Sequence, residues 1–258
     1  MKLENIDGFL LDLDGTLYLG GELFAETPAF LQKLKERSKP YLCLTNNSSA
    51  AGSDYVAKLN RMGIPTEPAQ VMTSGQATIH YLLEHTEYRS AYLVGNPALQ
   101  GEFEAAGIRL EEENPDCLVV GYDTTVDYHK LCVATRLLFR DKPYFATHPD
   151  RTCINEDELL PDIAAIIAGL EAVTRKLPEI LGKPEKPMVE AAAARVDVPL
   201  SRLAMVGDQL DTDMTMAKRF GLMAILVLSG ETSREQLKAS SVKPDLVLEN
   251  IGQLTELL

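Results

Sequence analysis

The chain has 258 residues, 45 % of them hydrophobic and 24 % charged, which is typical of a globular protein large enough for two domains. It carries 38 acidic and 25 basic residues, and the formal net charge of −13 argues against nucleic-acid binding, which needs clustered Lys and Arg. The chain shows no signal-peptide pattern, no apolar run of membrane-spanning length, and four scattered cysteines without a metal-binding spacing. We therefore expect a cytoplasmic protein that binds no membrane.

Apolar strands and helices alternate along the chain. The first strand contains the run Phe9-Leu10-Leu11, whose continuous apolar character indicates burial on both faces. The other predicted elements are a hairpin at 17–24, helices at 27–37, 53–62, 76–85, 97–106, 128–139, 162–177, 187–196, 212–220 and 234–239, strands at 41–45, 71–73, 91–95, 117–121, 144–147, 203–208, 223–228 and 246–248, and a short terminal helix. This alternation predicts an α/β fold whose core is a doubly wound, Rossmann-like parallel sheet with helices on both faces.

Three of the predicted strands end in clusters of polar or acidic side chains, which are Asp12 and Asp14, Thr45 and Asn46, and Asp208, Asp211 and Asp213. Residues i and i+2 of a strand share a face, so Asp12 and Asp14 can reach one pocket. Two carboxylates that close repel each other unless a cation or proton lies between them. A hard divalent cation at the carboxyl ends of the strands is the simplest arrangement.

The segment from 80 to 179 also alternates strands and helices, but none of its strands ends in such an acidic cluster. We therefore predict an inserted α/β cap domain at 80–179, and a catalytic core formed by 1–79 together with 180–258. Pro178, Pro184 and Pro187 mark the second crossing between them.

Four segments occur in a fixed order, and they are Asp12-Leu13-Asp14-Gly15-Thr16, Thr45-Asn46-Asn47, Gly182-Lys183-Pro184 and Gly207-Asp208-Gln209-Leu210-Asp211-Thr212-Asp213. They resemble the four ordered motifs of the haloacid dehalogenase superfamily, and more narrowly those of its 4-nitrophenylphosphatase (NagD-like) branch. Any one motif is a weak signal, but four in order at these spacings are specific. The resemblance covers nearly the whole chain.

The resemblance implies a Mg²⁺-dependent phosphatase that hydrolyses phosphoric monoesters through an aspartyl phosphate. Asp12 would be the nucleophile and a metal ligand. Asp14 would be the general acid and base, and its backbone carbonyl would bind Mg²⁺. Asp208 would be the remaining protein ligand, and Asp213 would support the residues that bind the metal without binding it directly.

The same resemblance assigns the phosphoryl oxygens of the substrate to Thr45, Asn46 and Lys183, with Lys183 also counted as catalytic. The expected partner is a small phosphorylated metabolite such as a sugar phosphate or a nucleotide. The sequence leaves the substrate and the formation of a homo-oligomer open. Polar residues of the predicted cap, which are Tyr122, Asp123, His148 and Asp150, do not name a substrate, and His148 stands where the branch often has Asn.

Two other functions compete with a hydrolase. One is a phosphosugar mutase or transferase of the same superfamily, which the large cap disfavours. The other is a phospho-accepting signalling domain, which also groups acidic residues, a Thr and a Lys around Mg²⁺. The chain is about twice the length such a domain needs, and Lys183 precedes Asp208 where it is expected last.

Overall fold

The computed structural model describes residues 2–155 and 158–258. The strands are β1 (Gly8–Asp12), β2 (Tyr18–Leu19), β3 (Glu22–Leu23), β4 (Tyr41–Thr45), β5 (Val71–Thr73), β6 (Ser90–Val94), β7 (Arg109–Leu110), β8 (Cys117–Val120), β9 (Tyr144–Ala146), β10 (Thr152–Asn155), β11 (Glu158–Pro161), β12 (Glu179–Ile180), β13 (Leu203–Gly207), β14 (Met223–Val227) and β15 (Leu246–Leu248).

The helices are α1 (Thr27–Glu36), α2 (Gly52–Arg61), α3 (Ser74–His85), α4 (Pro97–Ala105), α5 (Tyr128–Phe139), α6 (Ile163–Thr174), α7 (Lys186–Val196), α8 (Thr215–Phe220), α9 (Arg234–Ala239) and α10 (Ile251–Leu257). A π-helical turn, Leu210–Met214, precedes α8 directly. Within the described ranges, no helix combines the length and apolar character that crossing a membrane requires.

The chain divides into two compact units. The first consists of Met1–Thr45, Tyr55–Met72 and Val189–Leu258, and the second of Asn46–Asp54 and Thr73–Met188. Each unit contains one main sheet with helices.

The first unit is built on a six-stranded sheet in the order β15-β14-β13-β1-β4-β5. The central strand β1 pairs in parallel with β13 on one side and β4 on the other, and Leu10 lies opposite both Met205 and Leu42. Every residue of β1 and of β13 is buried, as the continuous apolar run predicted. The predicted parallel α/β sheet is confirmed, and the carboxyl ends of β1, β13 and β4 meet at one edge.

The second unit has a five-stranded sheet in the order β12-β9-β8-β6-β7, also parallel. Side chains of α3 and α4 contribute to one buried apolar cluster of this unit, and side chains of α5 and α6 contribute to another. Helices of both pairs therefore cover strands of one sheet, as the alternating pattern predicts for an α/β unit.

Some short elements differ from the sequence prediction. The strands β7 and β12 were not predicted, because two residues are too few to show the alternation of apolar and polar side chains that marks a strand. The antiparallel pair β10 and β11 was not predicted either. Helix α6 ends at Thr174 rather than at residue 177, because Arg175 adopts a left-handed conformation with φ of 61°.

Candidate active site

Three carboxylates gather where β1 and β13 end. Asp12 is the last residue of β1, Asp208 follows β13 directly, and Asp213 lies in the π-helical turn after it. One oxygen from each lies within 4.8 Å of the others. Their exposed fractions are only 8 %, 2 % and 0 %. The structure thus brings together three acids from both ends of the chain, and these include both acidic side chains predicted to bind metal.

Glycines allow the loops around Asp208 to approach it closely. A Cβ on Gly230 would lie 2.0 Å from Asp208 Oδ2, and one on Gly15, whose φ is +78°, would lie 2.4 Å from the same atom. That oxygen accepts a hydrogen bond of 2.6 Å from the N–H of Glu231. The hydroxyl of Ser229 donates to the carbonyl of Gly15 at 2.7 Å. The loop after β14 and the turn after β1 therefore fix the Asp208 carboxylate between them.

The donor chemistry of this cluster fits a hard divalent cation. The three side chains offer only carboxylate oxygens, which are the ligands that Mg²⁺ and Ca²⁺ prefer. Three acids that close and that buried repel one another when ionised, and a bound cation relieves this repulsion. Asp213, predicted to support the metal site, contributes an oxygen to the same cluster, and its Oδ2 accepts a hydrogen bond of 3.2 Å from the N–H of Gln209.

Asp14 is oriented by different partners. Its Oδ1 accepts a hydrogen bond of 3.1 Å from the N–H of Gly20 in the turn between β2 and β3, and its Oδ2 lies 3.9 Å from Lys58 Nζ. Partial burial raises the pKa of Asp14, which the Gly20 N–H and the Lys58 charge oppose. A carboxyl that keeps its proton more readily is suited to acid and base catalysis. The predicted hairpin beside the acidic pair is confirmed as β2 and β3.

Two threonines flank Asp12. Thr16 donates a long hydrogen bond of 3.5 Å from its hydroxyl to Asp12 Oδ2. Thr45 ends β4, one residue beyond Leu44, which lies opposite Asp12 in the paired strands. This register puts Thr45, a predicted substrate ligand, at the same edge of the sheet as the carboxylates.

Within the second unit, Asn46 holds the backbone of Lys183. Its Oδ1 accepts from the N–H of Lys183 at 2.9 Å, and its Nδ2 donates to the Lys183 carbonyl at 3.0 Å and to Asp150 Oδ1 at 3.1 Å. Both amide hydrogens of Asn46 are thereby used. Burial raises the pKa of Asp150, although the charges of His148 and Lys183 and the Asn46 bond oppose the rise. The prediction that Asn46 binds substrate would thus have to involve its backbone, since its side chain is engaged here.

The other polar candidates of this unit have local partners. His148 is fully buried, with Nε2 3.0 Å from Asp162 Oδ1 and Nδ1 2.8 Å from the Thr147 hydroxyl. Asp123 pairs with Lys130 at 2.6 Å, and the Tyr122 hydroxyl lies 3.1 Å from the sulfur of Cys153. Each of these three side chains therefore has a polar partner within the second unit.

Two protein-family models match the sequence and identify its family. The model of the family described as haloacid dehalogenase-like hydrolase matches residues 9–109, and a second model, HAD-hydrolase-like, matches residues 180–254. The chain belongs to the haloacid dehalogenase-like hydrolase family. The two matched ranges contain all four motifs that carried the predicted resemblance.

Among curated relatives of this haloacid dehalogenase-like hydrolase is an acid sugar phosphatase of Staphylococcus haemolyticus (strain JCSC1435), 33 % identical over 94 % of this chain and 92 % of the relative. Another is the 5'-nucleotidase YutF of Bacillus subtilis (strain 168), 31 % identical over 97 % of this chain and 98 % of the relative.

Among solved structures, the 4-nitrophenylphosphatase of Thermotoga maritima is 42 % identical, superposes with a TM-score of 0.95, and covers 98 % of both chains. NagD from Escherichia coli K-12 is 27 % identical with a TM-score of 0.90, covering 96 % of this chain and 98 % of its own. The predicted 4-nitrophenylphosphatase (NagD-like) branch is confirmed, and so is the enzyme class, a phosphatase.

Proposed function

We propose that this family member is a Mg²⁺-dependent phosphatase of small phosphate monoesters that acts through an aspartyl phosphate on Asp12. The observation that carries the proposal is the buried cluster of Asp12, Asp208 and Asp213, with oxygens within 4.8 Å of one another. Asp12, Asp208 and the backbone carbonyl of Asp14 would hold the cation. When bound, Mg²⁺ neutralises charge on the phosphoryl group and on the attacking oxygen.

The protein's own groups perform two displacements. A carboxylate oxygen of Asp12 bonds to phosphorus while the bond from phosphorus to the ester oxygen breaks, and Asp14 gives its proton to that oxygen, so that the alcohol leaves neutral. Asp14 then takes a proton from water as the water oxygen bonds to phosphorus. The bond between Asp12 and phosphorus breaks, and inorganic phosphate is released.

The remaining motif residues are assigned to the phosphoryl oxygens. Thr45 supplies a hydroxyl donor from the strand next to Asp12. Lys183 supplies a positive charge, and Asn46 fixes the backbone of Lys183 through two hydrogen bonds. We assign the cap role to residues 80–179 and the catalytic core to 1–79 and 180–258.

Sugar phosphates and nucleoside monophosphates are the substrate classes we propose, because the curated relatives are named acid sugar phosphatase and 5'-nucleotidase. The four cysteines, all of which the structure describes, form no disulfide bond, and we assign the protein to the reducing cytoplasm. The net charge of −13 opposes a nucleic-acid partner.

The test begins with hydrolysis of 4-nitrophenyl phosphate by the purified protein. We expect activity with Mg²⁺, its loss with a chelator, and its recovery on adding Mg²⁺ back. Asp12→Asn should be inactive, and acid-quenched wild-type protein should carry phosphate during turnover while Asp12→Asn carries none. Full activity of Asp12→Asn would refute the nucleophile assignment.

A matched pair of variants tests the metal cluster. Asp213→Asn removes a buried cluster acid, and Asp211→Asn removes an exposed acid two residues away. Asp213→Asn should need more Mg²⁺ for half-maximal activity, and Asp211→Asn should behave as wild type. Measuring released phosphate over a panel of sugar phosphates and nucleoside monophosphates then identifies the preferred class.

A further inference from the structure

Lys58 lies beside Asp14 although it belongs to none of the four motifs. Its Nζ is 3.9 Å from Asp14 Oδ2 and 4.0 Å from the centroid of the Tyr18 ring. Lys58 comes from α2 and Tyr18 from β2, and both lie in the first unit. A cation from a helix therefore reaches the carboxyl that the proposed mechanism uses as acid and base.

Asp14 needs such support, since its side chain is 49 % exposed and follows the end of β1. Proton delivery to a leaving group requires a carboxyl held in one orientation. The Gly20 N–H engages Oδ1 and Lys58 faces Oδ2, so the hairpin and the helix hold the two oxygens from different elements.

The position of Lys58 is itself fixed by packing. Tyr55 and Leu59, its neighbours on α2, are 8 % and 0 % exposed, so the helix face beside Lys58 is anchored in the core. The Tyr18 ring is fully buried, and an ammonium above an aromatic face is attracted to it. The Lys58 side chain keeps 30 % exposure, which leaves the charge available to Asp14.

We propose that Lys58 is a positioning residue that orients the Asp14 carboxyl toward the oxygen of the leaving alcohol. The inference rests on the proposed function. In the first displacement the bond from phosphorus to the ester oxygen breaks, and the Asp14 proton moves to that oxygen. A poor leaving group depends on this proton, whereas 4-nitrophenolate departs as an anion. Loss of Lys58 should therefore slow poor leaving groups selectively.

The test compares phenyl phosphate with 4-nitrophenyl phosphate, two esters of similar shape, at saturating Mg²⁺. In Lys58→Met, kcat/KM for phenyl phosphate should fall roughly tenfold more than kcat/KM for 4-nitrophenyl phosphate, which is less than the full contribution of a general acid. The comparison uses kcat/KM because it reports the first displacement, whereas kcat also contains the hydrolysis of the aspartyl phosphate that both esters share. Asp14→Asn should change the ratio in the same direction. Lys58→Arg should recover most of the loss because it keeps a cation. Arg61→Met, which removes an exposed cation from the same helix, should leave the ratio unchanged.

Equal losses on the two esters, or no loss, would overturn the role of Lys58 while the proposed function stands. If the wild-type protein releases phosphate from neither ester, the proposed function fails first and this inference fails with it. Thermal unfolding of each variant separates misfolding from chemistry. If Lys58→Met does not fold, the same comparison of the two esters is made with Lys58→Gln, which also removes the charge.

Discussion

Asn46 bonds both polar backbone groups of Lys183, a residue 137 positions later in the chain. The carboxamide Oδ1 accepts from the Lys183 N–H at 2.9 Å, and Nδ2 donates to the Lys183 carbonyl at 3.0 Å. Only an amide side chain offers an acceptor and two donors at once. The second donor hydrogen goes to Asp150 at 3.1 Å, so one Asn connects two loops of the second unit.

The first prediction concerns this connection. Asn46→Asp keeps the acceptor for the Lys183 N–H but places an oxygen against the Lys183 carbonyl and the Asp150 carboxylate. We expect the free energy of unfolding at pH 7 to fall by about 1–3 kcal/mol, the range for leaving buried polar groups unsatisfied. Urea denaturation measures this change. Phosphatase activity should fall with it, since the loop that carries Lys183 loses its support.

A compensating variant provides the control. Asp150→Asn added to Asn46→Asp restores a donor opposite the new carboxylate, and the double variant should be more stable than Asn46→Asp alone. If the changes in unfolding free energy of Asn46→Asp alone and Asp150→Asn alone summed to that of the double variant, the two side chains would not be coupled.

The second prediction concerns the approach of Gly230 to Asp208. A Cβ at residue 230 would lie 2.0 Å from Asp208 Oδ2 and 2.7 Å from the Cα of Gly15, so backbone would have to move. Gly230→Ala should raise the Mg²⁺ concentration needed for half-maximal activity by at least about tenfold, which equals about 1.4 kcal/mol of binding free energy. A Mg²⁺ titration of activity measures this shift.

Gly101→Ala is the matched control, because a Cβ there meets nothing within 4 Å and α4 gains a better helix former. It should leave the Mg²⁺ requirement unchanged and stabilise the fold by about 0.5–1 kcal/mol. Equal Mg²⁺ requirements for the two variants would mean that the loop after β14 does not position Asp208.

Sequence reasoning located the sheet and its acidic edge because the signals there are local. The apolar run that ends at Asp12 specifies a buried strand, and Asp208 follows a second such run. The order of the motifs then implied the pairing of strands from both ends of the chain, which the register of β1 with β13 confirms.

The contacts of Lys58 and Asp150 escaped prediction for the opposite reason. Lys58 lies 44 positions after Asp14 in the chain, and the sequence around a lysine on a helix does not indicate which distant residue it contacts. Asp150 meets Asn46 across 104 positions. The end of α6 was missed because a left-handed Arg175 is uncommon for a residue other than Gly or Asn.

The third prediction concerns His148 and Asp162, which are 0 % and 4 % exposed and 3.0 Å apart. His148→Ala leaves a cavity and removes a partner of a buried carboxylate, so the free energy of unfolding should fall by about 2–4 kcal/mol. Asp162→Asn keeps an oxygen that can accept from His148 and from the N–H of Ile163, so it should lower the free energy of unfolding by less. Urea denaturation of both variants tests this, and a larger loss in Asp162→Asn would contradict it.

The last prediction concerns stability at acid pH. The N–H groups of Arg89 and Ser90 donate to Asp116 Oδ2 at 2.8 Å each, and these bonds hold the pKa of Asp116 below its usual range. A carboxyl whose pKa is lower in the folded state adds stability above the pKa of the unfolded chain, and this stability is lost as the pH falls through the folded value. Asp116→Asn should therefore be less stable than wild type at pH 7.

The difference between Asp116→Asn and wild type should shrink steadily below about pH 4, where the unfolded carboxyl begins to bind protons. Urea denaturation at pH 7, 5 and 3.5 measures it. Asp211→Asn, which removes an exposed charge, shows how much of any trend comes from net charge alone. If the deficit of Asp116→Asn stayed constant across this range, the backbone N–H groups would not be stabilising the ionised carboxylate, and the packing of the loop beside β6 would have to explain the loss instead.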